Sequence, residues 1–234
     1  MTVTCDMMVA EDGYAAGVNQ SLQHPLGEGG ERLARWRFER PDENAAEIAA
    51  IATAGAYIMG RNMFGPGRGE WDDEWTGWWG DDPPYHAPVF VLTHYPRAPL
   101  VMQGGTTFTL VTAGIEATIE QARAVAGDRE VAIAGGAATA RQYLAAGLID
   151  ELRLHVAAAV LGAGEPLLAG LEHLTLAIMS LVITVGLVLF AIAGQAWYVW
   201  VASAVGAAAL VAFLLLFQRA RFKRMLALRH ANGA

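Results

Sequence analysis

The chain has 234 residues and a formal net charge of −7, which leaves room for one medium domain plus something small and excludes two large domains. Residues 1–173 hold all 23 Asp and Glu but only 11 of the 16 Lys and Arg, a net −12, while the remaining 61 residues are net +5. The acidic front part argues against nucleic acid as a partner, because phosphate binding needs a basic patch, and one cysteine, Cys5, excludes an internal disulfide framework.

In chain order, residues 2–9 (TVTCDMMV) alternate imperfectly and reach the turn signal Asp12-Gly13, which predicts a strand followed by a loop. The loop is long and polar through NQSLQHPLGEGGER, where glycines and Pro25 oppose regular structure. Asp42 and Glu43 precede ENAAEIAAIATA, in which Ile48 and Ile51 are three apart, and this predicts a helix with acids at its positive end. Ala56 to Met59 forms a short apolar strand ending at Gly60-Arg61. PVFVLT (88–93) reads as a strand buried on both faces, and TFTLV (107–111) as another. A helix is predicted over 115–126, a strand over 131–134, a tight Gly135-Gly136 junction and a helix over 137–146. ELRLHV (151–156) alternates with Leu152, Leu154 and Val156 on one face. This βαβ rhythm implies an α/β domain with a mostly parallel sheet flanked by helices.

From Leu174 to Phe217 no Asp, Glu, Lys, Arg or His occurs, a run of 44 residues that divides at Gly194-Gln195. A bilayer core of about 30 Å takes about 20 helical residues, so the run predicts two spans, 174–193 and 196–217, forming a transmembrane hairpin. Trp197, Tyr198 and Trp200 follow the turn, where interfacial rings belong, and the basic tail 218–234 carries Arg219, Arg221, Lys223, Arg224 and Arg229. The expectation is a multi-pass protein of the cytoplasmic membrane, with the lipid bilayer as a partner and both the N-terminal domain (1–173) and the tail in the cytoplasm. Small residues in the second span suit tight hairpin packing, with homo-oligomerisation as the alternative.

Two places suggest a ligand. VAIAGGAAT (131–139) runs from an apolar strand through two glycines into a helix, which lets backbone and helix N–H groups approach a phosphate; paired glycines equally allow strand and helix to pack closely. Gly60-Arg61 lies at a strand's C-terminal end, the edge where open α/β sheets bind ligands, and Arg61 suits either a phosphate fork or a surface salt bridge. Thr93 and His94 end the neighbouring strand and suit the same phosphate, His94 serving equally as a loop residue. EWDDEWTGWW (70–79) reads as a loop whose rings pack on the domain while its carboxylates face water, with a lid or partner surface as the sharper reading. The histidines lack metal-ligand spacing, so no metal site is expected.

With these residues laid out, the front domain resembles the dihydrofolate-reductase-like family that includes the reductase domain of the bifunctional riboflavin-biosynthesis deaminase-reductase. The pieces that carry the resemblance are EDGYAAGVNQSLQHPLGEGGERL, AYIMGRNMF, PVFVLTH, GGTTFTLVTAGIEATIEQARAVAGD, VAIAGGAATARQYLAAGLIDELRLHV and LGAGEPLL, in that order. The resemblance implies NADPH as cofactor. Gly60 and Arg61 match the Gly-Arg cofactor motif, Thr93 and His94 the strand end near the adenosine phosphate, Gly135, Gly136 and Thr139 the pyrophosphate turn, and Asp12, Gly13 and Gly17 the loop beside the nicotinamide.

Ala10 stands where family members usually have Ser, and the uncharged run begins where the family's closing antiparallel strands belong. The helix that carries a pterin-binding carboxylate in dihydrofolate reductases offers Glu43 and Glu47, but Asn44 falls nearest the expected spacing. The catalytic residues are left unassigned, with Asp12 and Glu47 as candidates. The implied activity is NADPH-dependent hydride transfer to a small heterocyclic or ribityl substrate, like that of a 5-amino-6-(5-phosphoribosylamino)uracil reductase. The alternatives are a catalytically inactive, membrane-anchored nucleotide-binding module and an interaction module.

Overall fold

In the computed structural model, which describes residues 1–65, 67 and 69–169, the predicted apolar runs become neighbours in one sheet. The strands are β1 (Val3–Ala10), β2 (Tyr14–Ala16), β3 (Ala56–Gly60), β4 (Pro88–Leu92), β5 (Leu100–Val101), β6 (Thr107–Val111), β7 (Val131–Gly135), β8 (Glu151–Ala157) and β9 (Glu165–Pro166). The large sheet has the order β5-β6-β4-β3-β7-β1-β8. All its pairings are parallel except β5 with β6. Strands β2 and β9 form a separate antiparallel pair. The helices are α1 (Arg35–Phe38), α2 (Ala45–Ile51), α3 (Arg61–Phe64), α4 (Gly114–Ala126) and α5 (Ala137–Ala145). The two predicted spans and the basic tail lie outside the described residues. Among the described residues, no helix is long and apolar enough to cross a membrane.

Side chains alternate across a strand, so each central strand feeds two cores. One core joins Val3, Cys5, Met7 and Val9 of β1 to Ile58 and Ile133, under Ile119 and Ala122 of α4 and Tyr143 of α5. The Tyr143 hydroxyl donates to the Ile115 carbonyl at 3.1 Å and ties the two helices together. The other core holds Tyr57, Met59, Phe64, Val89, Val91 and Phe108, and the tryptophan-rich loop covers it where a second helical layer would otherwise lie. Burial, reinforced by the neighbouring Asp6 carboxylate, pushes the Cys5 thiol up to about 12, so it stays a neutral filler of the first core.

The tryptophan loop packs as its composition suggests. Trp79 stacks on Phe108 with centroids 5.8 Å apart, and Trp71 meets Phe64 edge-on at 5.5 Å. Both the Trp71 and Trp75 indoles donate to backbone carbonyls, those of Tyr95 (2.7 Å) and Phe64 (3.0 Å). Asp72, Asp73 and Glu74 remain exposed.

Two features depart from expectation. The polar segment after β1 contains the short strand β2 and a 3-10 turn over Gly30–Ala34, whose Leu33 and Ala34 are buried. The apolar alternation of β8 is real, but Leu154 and Val156 are 43% and 62% exposed. Among the described residues β8 pairs only with β1, so its outer face lacks the cover that the central strands have. Its other face carries Arg153 and His155, in register with Asp6 and Met8.

Candidate functional site

Parallel strands put all their C-terminal ends on one edge, and there the helix starts and loops that follow β3, β4 and β7 converge. Gly60, Arg61, Thr93, His94, Gly135, Gly136 and Thr139 all line one cavity of about 1560 Å³. That exceeds the roughly 300–1,000 Å³ of a site for one drug-sized ligand, and it suits an extended ligand with a second molecule beside it.

The turn after β7 is shaped by its glycines. Gly135 has φ 131, which L side chains rarely adopt, and a Cβ there would lie 3.0 Å from the Met63 sulfur. Gly136 precedes α5, and nothing lies within 4 Å of where its Cβ would stand. The first N–H groups of a helix have no partner within it, so this bare turn at the start of α5 fits an anionic group such as a pyrophosphate.

Gly60 has a different reason to be glycine. A Cβ at that position would stand 2.2 Å from Oγ1 of Thr139, so the end of β3 and the first turn of α5 are in direct contact. Thr139 is itself buried by this contact. Arg61 opens α3, with its guanidinium 3.9 Å from the Trp71 ring centroid and 5.3 Å from that of Tyr95. Its Nε donates to the Gly67 carbonyl at 3.1 Å and Nη2 to that of Glu70 at 3.2 Å. Stacking and carbonyl contacts thus orient the head group on the cavity wall. Thr93 accepts the Tyr95 N–H through Oγ1 at 3.1 Å and shapes the turn after β4, while His94 is exposed.

Three candidates sit elsewhere. Gly17 is not part of the cavity lining; a Cβ on it would meet the Glu28 carbonyl oxygen at 2.2 Å, and its N–H donates to the Leu26 carbonyl at 2.8 Å. It lets two stretches of the long loop cross. Asp12 accepts the Leu161 N–H at 3.3 Å and the Gly162 N–H at 2.7 Å, which ties the loop after β1 to the segment after β8. Glu47 is exposed on α2. Asn44, nearest the position of the dihydrofolate-reductase carboxylate, donates its amide to the carbonyls of Trp36 (3.0 Å) and Arg40 (2.9 Å), holding the turn that carries Trp36.

A polar pair that sequence reasoning missed lines the same cavity. His155 Nε2 lies 3.2 Å from Oδ1 of Asp6, and Arg153 Nη1 lies 3.5 Å from Oδ2. The Trp36 ring stacks on the His155 imidazole at 4.8 Å with an interplanar angle of 12°. The only signal in the sequence is that both residues interrupt apolar strands; nothing local shows that strands 149 residues apart are neighbours. Among the described residues, no group of His, Cys, Asp and Glu is arranged to hold a metal ion.

Sheet order and site together define an α/β protein of dihydrofolate-reductase-like fold with its ligand cavity at the C-terminal edge of a parallel sheet. The RibD C-terminal domain family matches residues 1–185, and the chain belongs to that family, a family of riboflavin-pathway reductases. The match extends into the first part of the uncharged run.

Similar solved structures include a protein assigned to riboflavin biosynthesis from Shewanella sp. PV-4 (24% identity, 71% of this chain and 82% of that one, TM-score 0.47). A diaminohydroxyphosphoribosylaminopyrimidine deaminase/5-amino-6-(5-phosphoribosylamino)uracil reductase from Thermotoga maritima is 13% identical over 72% of this chain, with a TM-score of 0.43; the chain spans 48% of that protein's length. A pyrimidine reductase-like protein from Corynebacterium diphtheriae is 14% identical over 74% of this chain and 81% of that one, with a TM-score of 0.40. No curated protein matches the chain.

Proposed function

We propose that the chain is an NADPH-dependent reductase of the riboflavin-biosynthesis type, acting on a small heterocyclic or ribityl substrate in the manner of a 5-amino-6-(5-phosphoribosylamino)uracil reductase. The observation that supports this reading is the single cavity that joins the bare glycine turn before α5 to a polar, ring-lined end at β1 and β8. Family membership points the same way. When bound, the cofactor supplies a hydride. In this reading Gly135 and Gly136 hold its pyrophosphate against the start of α5, and Arg61, Thr93 and His94 hold the phosphate of its adenosine end. Thr139 acts by packing under β3, which fixes where that helix begins.

Titration with NADPH and NADH, followed by nucleotide fluorescence, tests the assignment. Charge-assisted hydrogen bonds to a 2′-phosphate are worth about 1.5–3 kcal/mol, so NADPH is expected to bind roughly ten- to a hundredfold tighter than NADH and to lose that advantage in Arg61→Ala. Equal affinity for the two, unchanged by the substitution, removes the role from Arg61. Oxidation of NADPH over a panel of aminopyrimidines and pterins then separates an enzyme from a binding module.

The reading includes a membrane tether. Residues 174–193 and 196–217 have the length and uncharged composition of two spans, and the basic tail 218–234 favours the cytoplasmic side for both ends. The full chain is expected to stay with membranes through alkaline carbonate washing. Quantitative release into the supernatant rejects the tether.

A further inference from the structure

We propose that His155, held by Asp6, is the proton donor that accompanies hydride transfer; this rests on the reductase reading above. A carboxylate on a strand next to the sheet edge is costly to desolvate unless it is paired, and the Asp6 side chain is 12% exposed. An ion pair with Arg153 would satisfy that need without His155. Arg153 stands on the far side of the carboxylate, braced by Glu151 at 2.9 Å and Glu130 at 3.8 Å, and it does not line the cavity. Asp6, His155 and Trp36 do. The imidazole and its carboxylate partner, and not the guanidinium, are therefore the parts of the cluster turned to the ligand space.

The carboxylate accepts a proton-bearing Nε2, which fixes the orientation and tautomer of the ring. Among the described residues Asp6 is the one hydrogen-bond partner of the imidazole, so Nδ1 is left to serve a ligand. Trp36 covers one face of the ring, and its own indole N–H is buried with no partner, so stacking rather than hydrogen bonding sets its position. Neither Asp12 nor Glu47 lines the cavity, and Asn44 spends its amide on backbone carbonyls. Charged groups on the elements packed about the ring are Asp6 on β1, Glu151 and Arg153 on β8, and Glu31, Arg32, Arg35 and Arg37 on the 30–38 segment.

A C=N or C=O carbon of the substrate accepts a hydride from the reduced nicotinamide, which is left oxidised. The π pair moves to the attached nitrogen or oxygen. That atom takes the Nδ1 proton of the imidazolium form of His155, which leaves the neutral ring with its remaining proton on Nε2 against Asp6, and solvent restores the Nδ1 proton.

The test uses the full chain with NADPH and 5-amino-6-(5-phosphoribosylamino)uracil. General acid catalysis contributes about 10²- to 10⁴-fold, so His155→Gln is expected to lower kcat by that factor, to abolish the alkaline fall in kcat, and to leave the Kd for NADPH unchanged. A kcat and a pH profile like those of the wild type, with only a lower melting temperature, would reduce the pair to a strand clamp. A second readout needs no turnover and no variant. In wild-type protein with ¹⁵N-histidine, 5,6-diaminouracil added with NADP⁺ is expected to shift the Nδ1 resonance of His155. A resonance that does not move overturns the proposal even if NADPH binds well, whereas failure of NADPH to bind overturns the reductase reading itself.

Discussion

Gly60→Ala is expected to destabilise the domain by about 1–3 kcal/mol, the usual cost of an extra methyl forced into a packed site, and Thr139→Ala is expected to relieve most of it. The reason is specific to one atom. An added Cβ would stand 2.2 Å from Oγ1 of Thr139, while the next neighbours, Cβ of Thr139 at 3.4 Å and the Gly135 carbonyl oxygen at 3.9 Å, are at ordinary contact distance. Threonine in a helix has few χ1 choices, and Thr139 is buried, so the hydroxyl does not swing aside cheaply.

Urea unfolding of the wild type, the two single variants and the double variant, followed by tryptophan fluorescence, measures the coupling. A term of about 0.5–3 kcal/mol is expected for residues in direct contact. Additive effects, or a Gly60→Ala midpoint equal to that of the wild type, defeat the packing account and return Gly60 to a direct cofactor role. The contact matters for function because the close passage of β3 against α5 is what sets the start of α5, and hence the bare turn at Gly136, at the cavity edge.

The elements that were legible in the amino-acid sequence are those whose signal is local. Strands β3, β4, β6 and β7 are short apolar runs bounded by turn residues, and α4 and α5 follow β6 and β7 at helical spacing, so the existence of these elements and a mostly parallel sheet could be read from the sequence, while the strand order could not. The tryptophan loop was legible for a similar reason, since four rings among acids in ten residues leave little choice but to bury the rings and expose the charges.

What escaped depends on which distant segments meet. Tyr14–Ala16 becomes a strand because Glu165–Pro166 lies beside it, and Asp6 gains its meaning from His155 on a strand far along the chain. The glycines show the same limit. Gly17 and Gly60 look alike as loop and motif glycines, yet one makes room for the Glu28 carbonyl and the other for a threonine hydroxyl, and only Gly60 reaches the cavity.

Asp12→Ala is expected to cost about 1.5–3 kcal/mol, the range for hydrogen bonds to a charged group, because the carboxylate is a structural acceptor. It takes the N–H groups of Leu161 and Gly162. Around it Glu11 N–H donates to the Ala159 carbonyl at 2.9 Å and Leu167 N–H to the Gly13 carbonyl at 3.0 Å. The turn after β1 is thus stitched to the segment between β8 and β9, and Leu167, 1% exposed, is delivered to the core by that stitching. Losing the carboxylate leaves two backbone donors short of an acceptor and loosens β9.

Asp12→Asn keeps one acceptor oxygen and is expected to fall between the wild type and Asp12→Ala in urea midpoint, with NADPH oxidation by the folded variant preserved. A carboxylate that moves a proton in the reaction would show the opposite pattern: an unchanged midpoint and a loss of about 10²- to 10⁴-fold in kcat on the same substitution. That outcome would make Asp12 the acid or base of the site and remove the role assigned to His155.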